Sequence, residues 1–333
     1  RGNSGGPLVD ENINVIGINY AGYDDAQNVG YAIPINYVKY ILEDMKVNKI
    51  IKKPVFGASF NNTNESIMKF TKLCTAGYYV SFIAENGPFY NSGIKEGSII
   101  CSVDGMKIDN YGEIFIDEIN AKFYIGDYLR FKKVGDTIGM KIIENKGGDN
   151  YEVVNKKIQL EGEDFYKIKY IYNGFEEVDY QIIGGMIIMP LTNNHLKEFE
   201  ENKHIQVYKN IHNKLEKKLI VTKVLNGSNL SEFHVFSAPI ILDEVNGIKV
   251  SCMNSLRKAL LQYKKDNGNS YITFKTENYK FFTLTLKKIL EEELFLSKNL
   301  NYKLSEFTKK LIKMDNDINN QVDNKENKKK TPA

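Results

Sequence analysis

The sequence predicts a mainly β chain with a minority of helix, divided into two or three domains. Three observations carry that expectation. The 333 residues exceed one ordinary domain. Short apolar runs separated by turn residues recur along most of the length. A string near the middle, Val103-Asp104-Gly105-Met106-Lys107-Ile108, returns as Val245-Asn246-Gly247-Ile248-Lys249-Val250. Each copy follows an apolar strand and precedes a helical stretch, which reads as an internal duplication.

Composition removes several classes of function. Hydrophobic content of 42% and charged content of 26% are globular values. A net charge of +3 gives no electrostatic case for nucleic acid or an anionic membrane. No apolar run approaches the roughly 18 residues that would span a bilayer. Cys74, Cys101 and Cys252 form neither a CxxC pair nor a disulfide framework. No P-loop, zinc spacing or EF-hand loop is present, so no cofactor and no metal is expected. The chain opens Arg1-Gly2-Asn3 instead of Met, so the natural N-terminus is expected upstream and no targeting segment can be read.

In chain order, Pro7-Leu8-Val9 and Ile13 to Ile18 flank Asp10-Glu11-Asn12 and read as a hairpin. Val29 to Ile33 is a further strand. Pro34 and Asn36 then introduce a helix carrying Tyr37, Val38, Ile41, Leu42 and Met45 at helical spacing. Lys46 to Lys53 is a linker. Strands are expected at Phe56–Phe60, Tyr78–Ile83, Ile99–Val103, Ile138–Ile143 and Tyr151–Ile158, with a short helix or turn over Pro88–Ile94. A third region repeats that logic: strands Leu219–Leu225 and Pro239–Leu242, a helix from Asn254 to Tyr263, then Tyr271–Thr276 and Phe281–Leu286 as a hairpin. Tyr302 to Met314 reads as a helix. Residues 315–333 are expected to be disordered, with Lys328-Lys329-Lys330 a solvated tail more than an address. Two sequons, Asn61-Asn62-Thr63 and Asn64-Glu65-Ser66, are what an Asn-rich chain produces by chance.

The chemistry-bearing motif is Gly2-Asn3-Ser4-Gly5-Gly6-Pro7. A serine nucleophile needs exposure, a sharp turn and backbone N–H groups aimed at the developing oxyanion. Glycines on both sides permit that backbone path. The string also satisfies G-x-S-x-G, the nucleophile elbow of α/β-hydrolases. That elbow requires a following helix and a later Asp and His, whereas Pro7 and a hairpin follow here.

The motif resembles that of trypsin-like serine peptidases. With Val15-Ile16-Gly17-Ile18-Asn19 and Val29-Gly30-Tyr31-Ala32-Ile33-Pro34-Ile35, it resembles the end of the protease domain in the HtrA/Deg (DegP-like) family. Gly93-Ile94-Lys95-Glu96-Gly97-Ser98-Ile99-Ile100 followed by Val103-Asp104-Gly105 is similar to a PDZ string, with Ser98 where Asp is usual. The divergent second repeat best resembles the plant-type Deg branch.

The resemblance implies the C-terminal part of a trypsin-like double β-barrel over 1–46, a PDZ domain over 54–162, a divergent PDZ-like α/β domain over 163–297, and a helix and tail over 298–333. It implies Ser4 as nucleophile, with the N–H groups of Gly2 and Ser4 as oxyanion hole. Gly17, Ile18 and Asn19 would pair with substrate and line its pocket. Phe56, Gly57, Ala58, Ser59 and Phe60 would form the carboxylate-binding loop and edge strand of the first PDZ domain. A neutral Asn3 dispenses with the buried Asp that zymogen-activated members pair with a new N-terminal amine. Triad order in this fold places the His and Asp before Arg1, so the chain alone is expected to be inactive. His195, His204, His212 and His234 read as ordinary surface or half-buried residues. The implied function is an ATP-independent endopeptidase acting on unfolded or damaged polypeptides as a trimer or multiple of trimers. The alternative is an inactive peptide-binding or chaperone protein that keeps the protease fold.

Overall fold

The computed structural model describes residues 3–22, 30–117, 120–234, 237–266 and 269–315, in two compact units, Arg1–Phe165 and Tyr166–Ala333. Most of the tail, including Lys328 to Lys330, lies outside the described residues, as does Gly2.

The first unit opens with a three-stranded antiparallel sheet ordered Pro7–Val9, Val15–Gly22, Gly30–Pro34. Ile13, at φ 66°, turns the chain between the first two strands, and Asp10 holds that turn by accepting from the backbone N–H groups of Asn12 and Asn14. Pro34 has no N–H to donate and leads into the helix Ile35–Val47.

A six-stranded antiparallel sheet follows. Its order is Asn150–Gln159, Thr137–Gly147, Ile99–Val103, Tyr78–Ile83, Ala58–Asn62, with Met106–Lys107 attached to Ile99–Val103. Alternation along Thr137–Gly147 sends Ile138, Met140 and Ile142 inward. They meet Val80, Ile100, Val103 and Ile158 in one core. Each such side chain contributes about 1.5–3 kcal/mol by leaving water. The helical turns Ile125–Tyr128 and Leu129–Phe131 cover that core through Ile125 and Leu129. A small hairpin, Glu113–Ile116 with Ala121–Tyr124, precedes them.

The second unit repeats the arrangement. Strands Phe281–Thr285, Asn269–Thr276, Ile240–Val245, Leu219–Val224 and Met186–Pro190 occur in the same spatial order as the five principal strands of the first unit, all antiparallel. The helix Met253–Leu260 takes the place in chain order that Ile125–Phe131 takes in the first unit. Its N-terminus is capped by Ser255, whose Oγ accepts from the Cys252 N–H, and Met253, Leu256, Ala259 and Leu260 face the core.

The duplicated string makes the same turn twice. Asp104-Gly105 has φ of 47° and 84°, and Asn246-Gly247 has 55° and 78°. Two positive φ values define the two-residue turn that suits strand twist. Each turn side chain reaches the next long strand: Asp104 Oδ1 accepts from Gly139 N at 2.8 Å, and Asn246 Oδ1 from Thr273 N at 2.9 Å.

Three elements outside this plan pack onto the core of the second unit or extend its sheet. Gln181–Ile183 adds a strand beside Met186–Pro190. The helix Leu286–Asn299 and a further helix over 306–315 pack on the same core through Leu286, Ile289, Leu290 and Leu311.

Two expectations are corrected. The strand expected from Phe56 begins at Ala58, because Gly57 at φ +67° interrupts extended backbone. Cys74 and Cys101 form a disulfide, with Cα atoms 6.2 Å apart. The pairing comes from packing, not from a local motif. Cys74 follows the helix Glu65–Thr71, which lies over Ile99 and Cys101 through Met68.

Candidate active site and peptide edge

The turn carrying Ser4 is built by its neighbours. Gly6 N donates to the Asn3 carbonyl at 3.0 Å, and Gly5 takes φ +85°. Asn19 clamps the turn through its backbone: its carbonyl accepts from Gly5 N at 2.7 Å and its N–H donates to the Gly6 carbonyl at 2.9 Å. Ser4 is exposed at the tip, and its Oγ donates to the Tyr20 carbonyl at 3.0 Å. Tyr20 is where the strand register shifts, between Asn19 and Ala21. An exposed hydroxyl on a backbone-braced glycine turn has the geometry a nucleophile needs.

Gly17, Ile18 and Asn19 lie in the central strand of the small sheet. Pro7 and Leu8 pair with Ile18 and Gly17 on one side, and Ala32, Ile33 and Pro34 on the other. Gly17 is buried, and a Cβ there would sit 3.1 Å from the Ile33 carbonyl and 3.2 Å from the Ala32 Cβ. At these three residues the backbone is already engaged on both sides.

Phe56 to Phe60 form a loop and edge in the first unit. The Gly57 carbonyl accepts from Ala84 N at 2.7 Å. A Cβ on Gly57 would come within 3.0 Å of the Phe165 ring and 3.2 Å of Gly87 Cα, so at φ +67° a side chain there is both strained and crowded. Ala58, Ser59 and Phe60 pair with Ile83, Phe82 and Val80. Among the described residues, no strand pairs with the other side of Ala58–Asn62. The Phe60 ring stacks on Tyr78 at 5.4 Å, Tyr78 meets Tyr124 edge-on at 6.0 Å, and Phe56 lies 5.2 Å from Phe89. A free strand edge beside aromatic side chains is suited to receiving an extended peptide.

The histidines all belong to the second unit. His195 is a helix cap: its Nδ1 accepts from Thr192 N at 3.1 Å, its ring stacks on Phe199, and burial lowers its pKa. His204, His212 and His234 are exposed. Among the described residues no group of three or more His, Cys, Asp or Glu could hold a metal, and no helix is long and apolar enough to cross a membrane.

Several polar sites were not legible as sites in the sequence. Asp104 accepts from Tyr128 Oη at 2.7 Å and Lys132 Nζ at 2.9 Å besides Gly139 N. Glu293, fully buried, accepts from Tyr302 Oη at 3.1 Å. Burial, with Glu292 adding to it, raises the Glu293 carboxyl to about 7 despite that hydrogen bond. Only the Asp-Gly turn left a signal in the sequence.

Comparison with known proteins agrees with this architecture. A trypsin family model matches residues 1–42, and a PDZ domain model matches 171–303. The serine protease Do-like HtrA of Bacillus subtilis is 30% identical over 170 residues, covering 48% of this chain and 34% of that protein. A probable periplasmic serine endoprotease DegP-like of Rickettsia prowazekii is 31% identical over 159 residues, covering 46% and 31%. A solved structure of the HtrA-type protease AlgW with decapeptide aligns over 48% of this chain and 46% of its own, at 22% identity and a TM-score of 0.35. The chain spans about a third of the length of these curated relatives. With the trypsin match at one end, the PDZ match at the other and the relatives' shared sequence, the chain is similar to HtrA/DegP-type trypsin-like serine proteases with a PDZ domain.

Proposed function

We propose that the whole protein is an ATP-independent serine endopeptidase in which Ser4 attacks the scissile carbonyl. The observation that carries this reading is the exposed Ser4 Oγ on a turn clamped by Asn19. The N–H groups of Gly2 and Ser4 hold the oxyanion. A His and an Asp preceding Arg1 supply the base and its orienter, so this chain by itself does not turn over peptides. Residues 1–46 are the last part of the protease domain, 54–162 the first PDZ domain, 163–297 a divergent second one of the plant-type branch, and 298–333 a helix and tail. The loop and edge Phe56–Phe60 receive an extended peptide, either a C-terminus or a segment of a neighbouring subunit. Unfolded or damaged polypeptides are the substrates, and subunits assemble as trimers or their multiples.

The test is a fluorophosphonate probe on the full-length protein. Labelling of the parent and its loss in Ser4→Ala are expected. An assembled parent that takes no label refutes the catalytic reading and leaves a peptide-binding protein on a protease fold.

A further inference from the structure

Among the differences between the two PDZ-like units, one concerns what fills the peptide edge. Their loops share the same pair of backbone hydrogen bonds. In the first unit the Gly57 carbonyl accepts from Ala84 N at 2.7 Å, and Gly87 N then donates to the Ala84 carbonyl at 3.1 Å. In the second, the Gly185 carbonyl accepts from Leu225 N at 2.7 Å, and Ser228 N donates to the Leu225 carbonyl at 3.2 Å. Gly57 and Gly185 both have positive φ, 67° and 72°. A Cβ on either would run into the start of the next short helix, at Gly87 and Pro88 for Gly57 and at Ser228 for Gly185. Thus Gly184-Gly185-Met186-Ile187-Ile188 is the counterpart of Phe56-Gly57-Ala58-Ser59-Phe60.

Upstream of this loop the chains diverge. Val55 bridges to Glu161, which leaves the edge Ala58–Asn62 open. In the second unit the chain doubles back at Gly184-Gly185, and Gln181, Ile182 and Ile183 pair antiparallel with Ile188, Ile187 and Met186. We infer that residues 179–183 are a built-in ligand of the second unit, lying along the edge where a foreign peptide would add its strand.

The segment is held as a ligand would be. Ile183 is fully buried and enters the core with Met186, Leu256 and Leu260, as the last side chain of a bound peptide would. At its other end Asp179 receives two hydrogen bonds from Arg257, at 2.8 and 2.6 Å. Arg257 stands on the helix Met253–Leu260, the far wall of the groove. The strap therefore spans from helix to strand. Gln181, also fully buried, donates through Nε2 to Thr308 Oγ1 at 2.8 Å and Ser305 Oγ at 2.9 Å. The segment 305–308 thereby closes over it. The Gly185 N–H reaches the Glu293 carboxylate at 3.4 Å, pinning the turn. Peptides are consequently read by the first unit and refused by the second until the strap leaves.

This inference rests on the reading of Phe56–Phe60 as the peptide edge, and one experiment separates the two. The probe is a synthetic hexapeptide of sequence 178–183 with a free C-terminal carboxylate, added to the full chain while hydrogen exchange is followed at both edges. In the parent, the peptide is expected to slow exchange at Ala58–Asn62 and leave Met186–Pro190 unchanged. Replacing the exposed latch, Asp179→Ala with Arg257→Ala, should speed exchange at Met186–Pro190 about fivefold, the worth of a partly exposed bidentate pair, and let the peptide restore protection there. Gly185→Ala should open the turn further, since its Cβ would lie 2.2 Å from the Ser228 Cβ. If Gly185→Ala does not fold, the latch pair decides. Peptide protection of Met186–Pro190 in the parent, or no change there in the latch variant, overturns the inference. Absence of protection at Ala58–Asn62 alone counts against the first-unit edge instead.

Discussion

Replacing Glu293 by Gln should stabilise the second unit at neutral pH and change nothing in acid. Glu293 is fully buried beside Gly185 and Tyr302. Its carboxyl rises from the ordinary 4.5 to about 7, chiefly because burial disfavours the charged form. The sign follows from proton counting. Between 4.5 and 7 the unfolded chain has lost this proton while the folded chain keeps it, so stability falls as pH rises through that window. Below the window both states are protonated, and above it both are charged, with the folded state carrying the full cost. A shift of that size corresponds to about 3 kcal/mol. Glu293→Gln keeps an acceptor for Gly185 and carries no charge, so it should recover up to about 3 kcal/mol at pH 8 and close to nothing at pH 4. Urea unfolding read by hydrogen exchange at Leu219–Val224 gives the stability of this unit alone. An equal effect of the substitution at both pH values refutes the reasoning, because a packing or hydrogen-bond change has no reason to follow the carboxyl's titration.

Three further outcomes are expected. Removing the Cys74–Cys101 link, by reductant or by paired Ser substitutions, should cost the first unit about 3.5 kcal/mol, the loop-closure value for a separation of 27 residues; a urea midpoint that does not move refutes it. Asp104→Asn should cost about 1–3 kcal/mol at pH 7, because Lys132, Gly139 N and Tyr128 all donate to a carboxylate. Burial raises the pKa of Asp104, but those donors outweigh it and leave the pKa below 3.8. Its contribution is therefore present above 3.8 and fades as pH falls through the lowered value, so melts of variant and parent should converge in strong acid. Gly17→Val should push Ile33 and Ala32 away and cost about 1–3 kcal/mol, seen as faster exchange at Gly30–Pro34; unchanged exchange would mean the strands have room to separate.

The elements that could be read in the sequence are those whose cause is local. Alternation and turn residues located Tyr78–Ile83 and Ile99–Val103 to the residue, and the Asp-Gly and Asn-Gly pairs located both two-residue turns. The glycine turn that carries Ser4 is legible because it is written in consecutive residues. The elements missed depend on distant partners. Gln181–Ile183 is too short to show a period and is a strand only because Met186–Pro190 and the segment 305–308 hold it. Cys74 and Cys101 have no motif, since a helix and a strand bring them together. The sequon at Asn64 is spent locally: its side chain accepts from Ile67 N and caps the helix Glu65–Thr71.

The joints within the first unit are weaker than those that hold the strap in the second. The segment after the turns Ile125–Phe131 touches the helix Ile35–Val47 through Tyr40 Oη to Asp136 at 2.9 Å and Lys133 Nζ to Asp44 at 2.9 Å. The second is a partly exposed ion pair, worth about 0–1 kcal/mol. The first is a hydrogen bond to a carboxylate, about 1.5–3 kcal/mol, and burial together with Asp136 raises the Tyr40 phenol to about 12. Breaking either leaves groups that water can reach. The strap, by contrast, is anchored by Gln181 and Ile183, both fully buried. Pulling it out would expose an apolar side chain and strand an amide's partners, so its release needs a competitor that replaces those contacts, whereas the contact of the helix Ile35–Val47 with Lys133 and Asp136 can open by solvation alone.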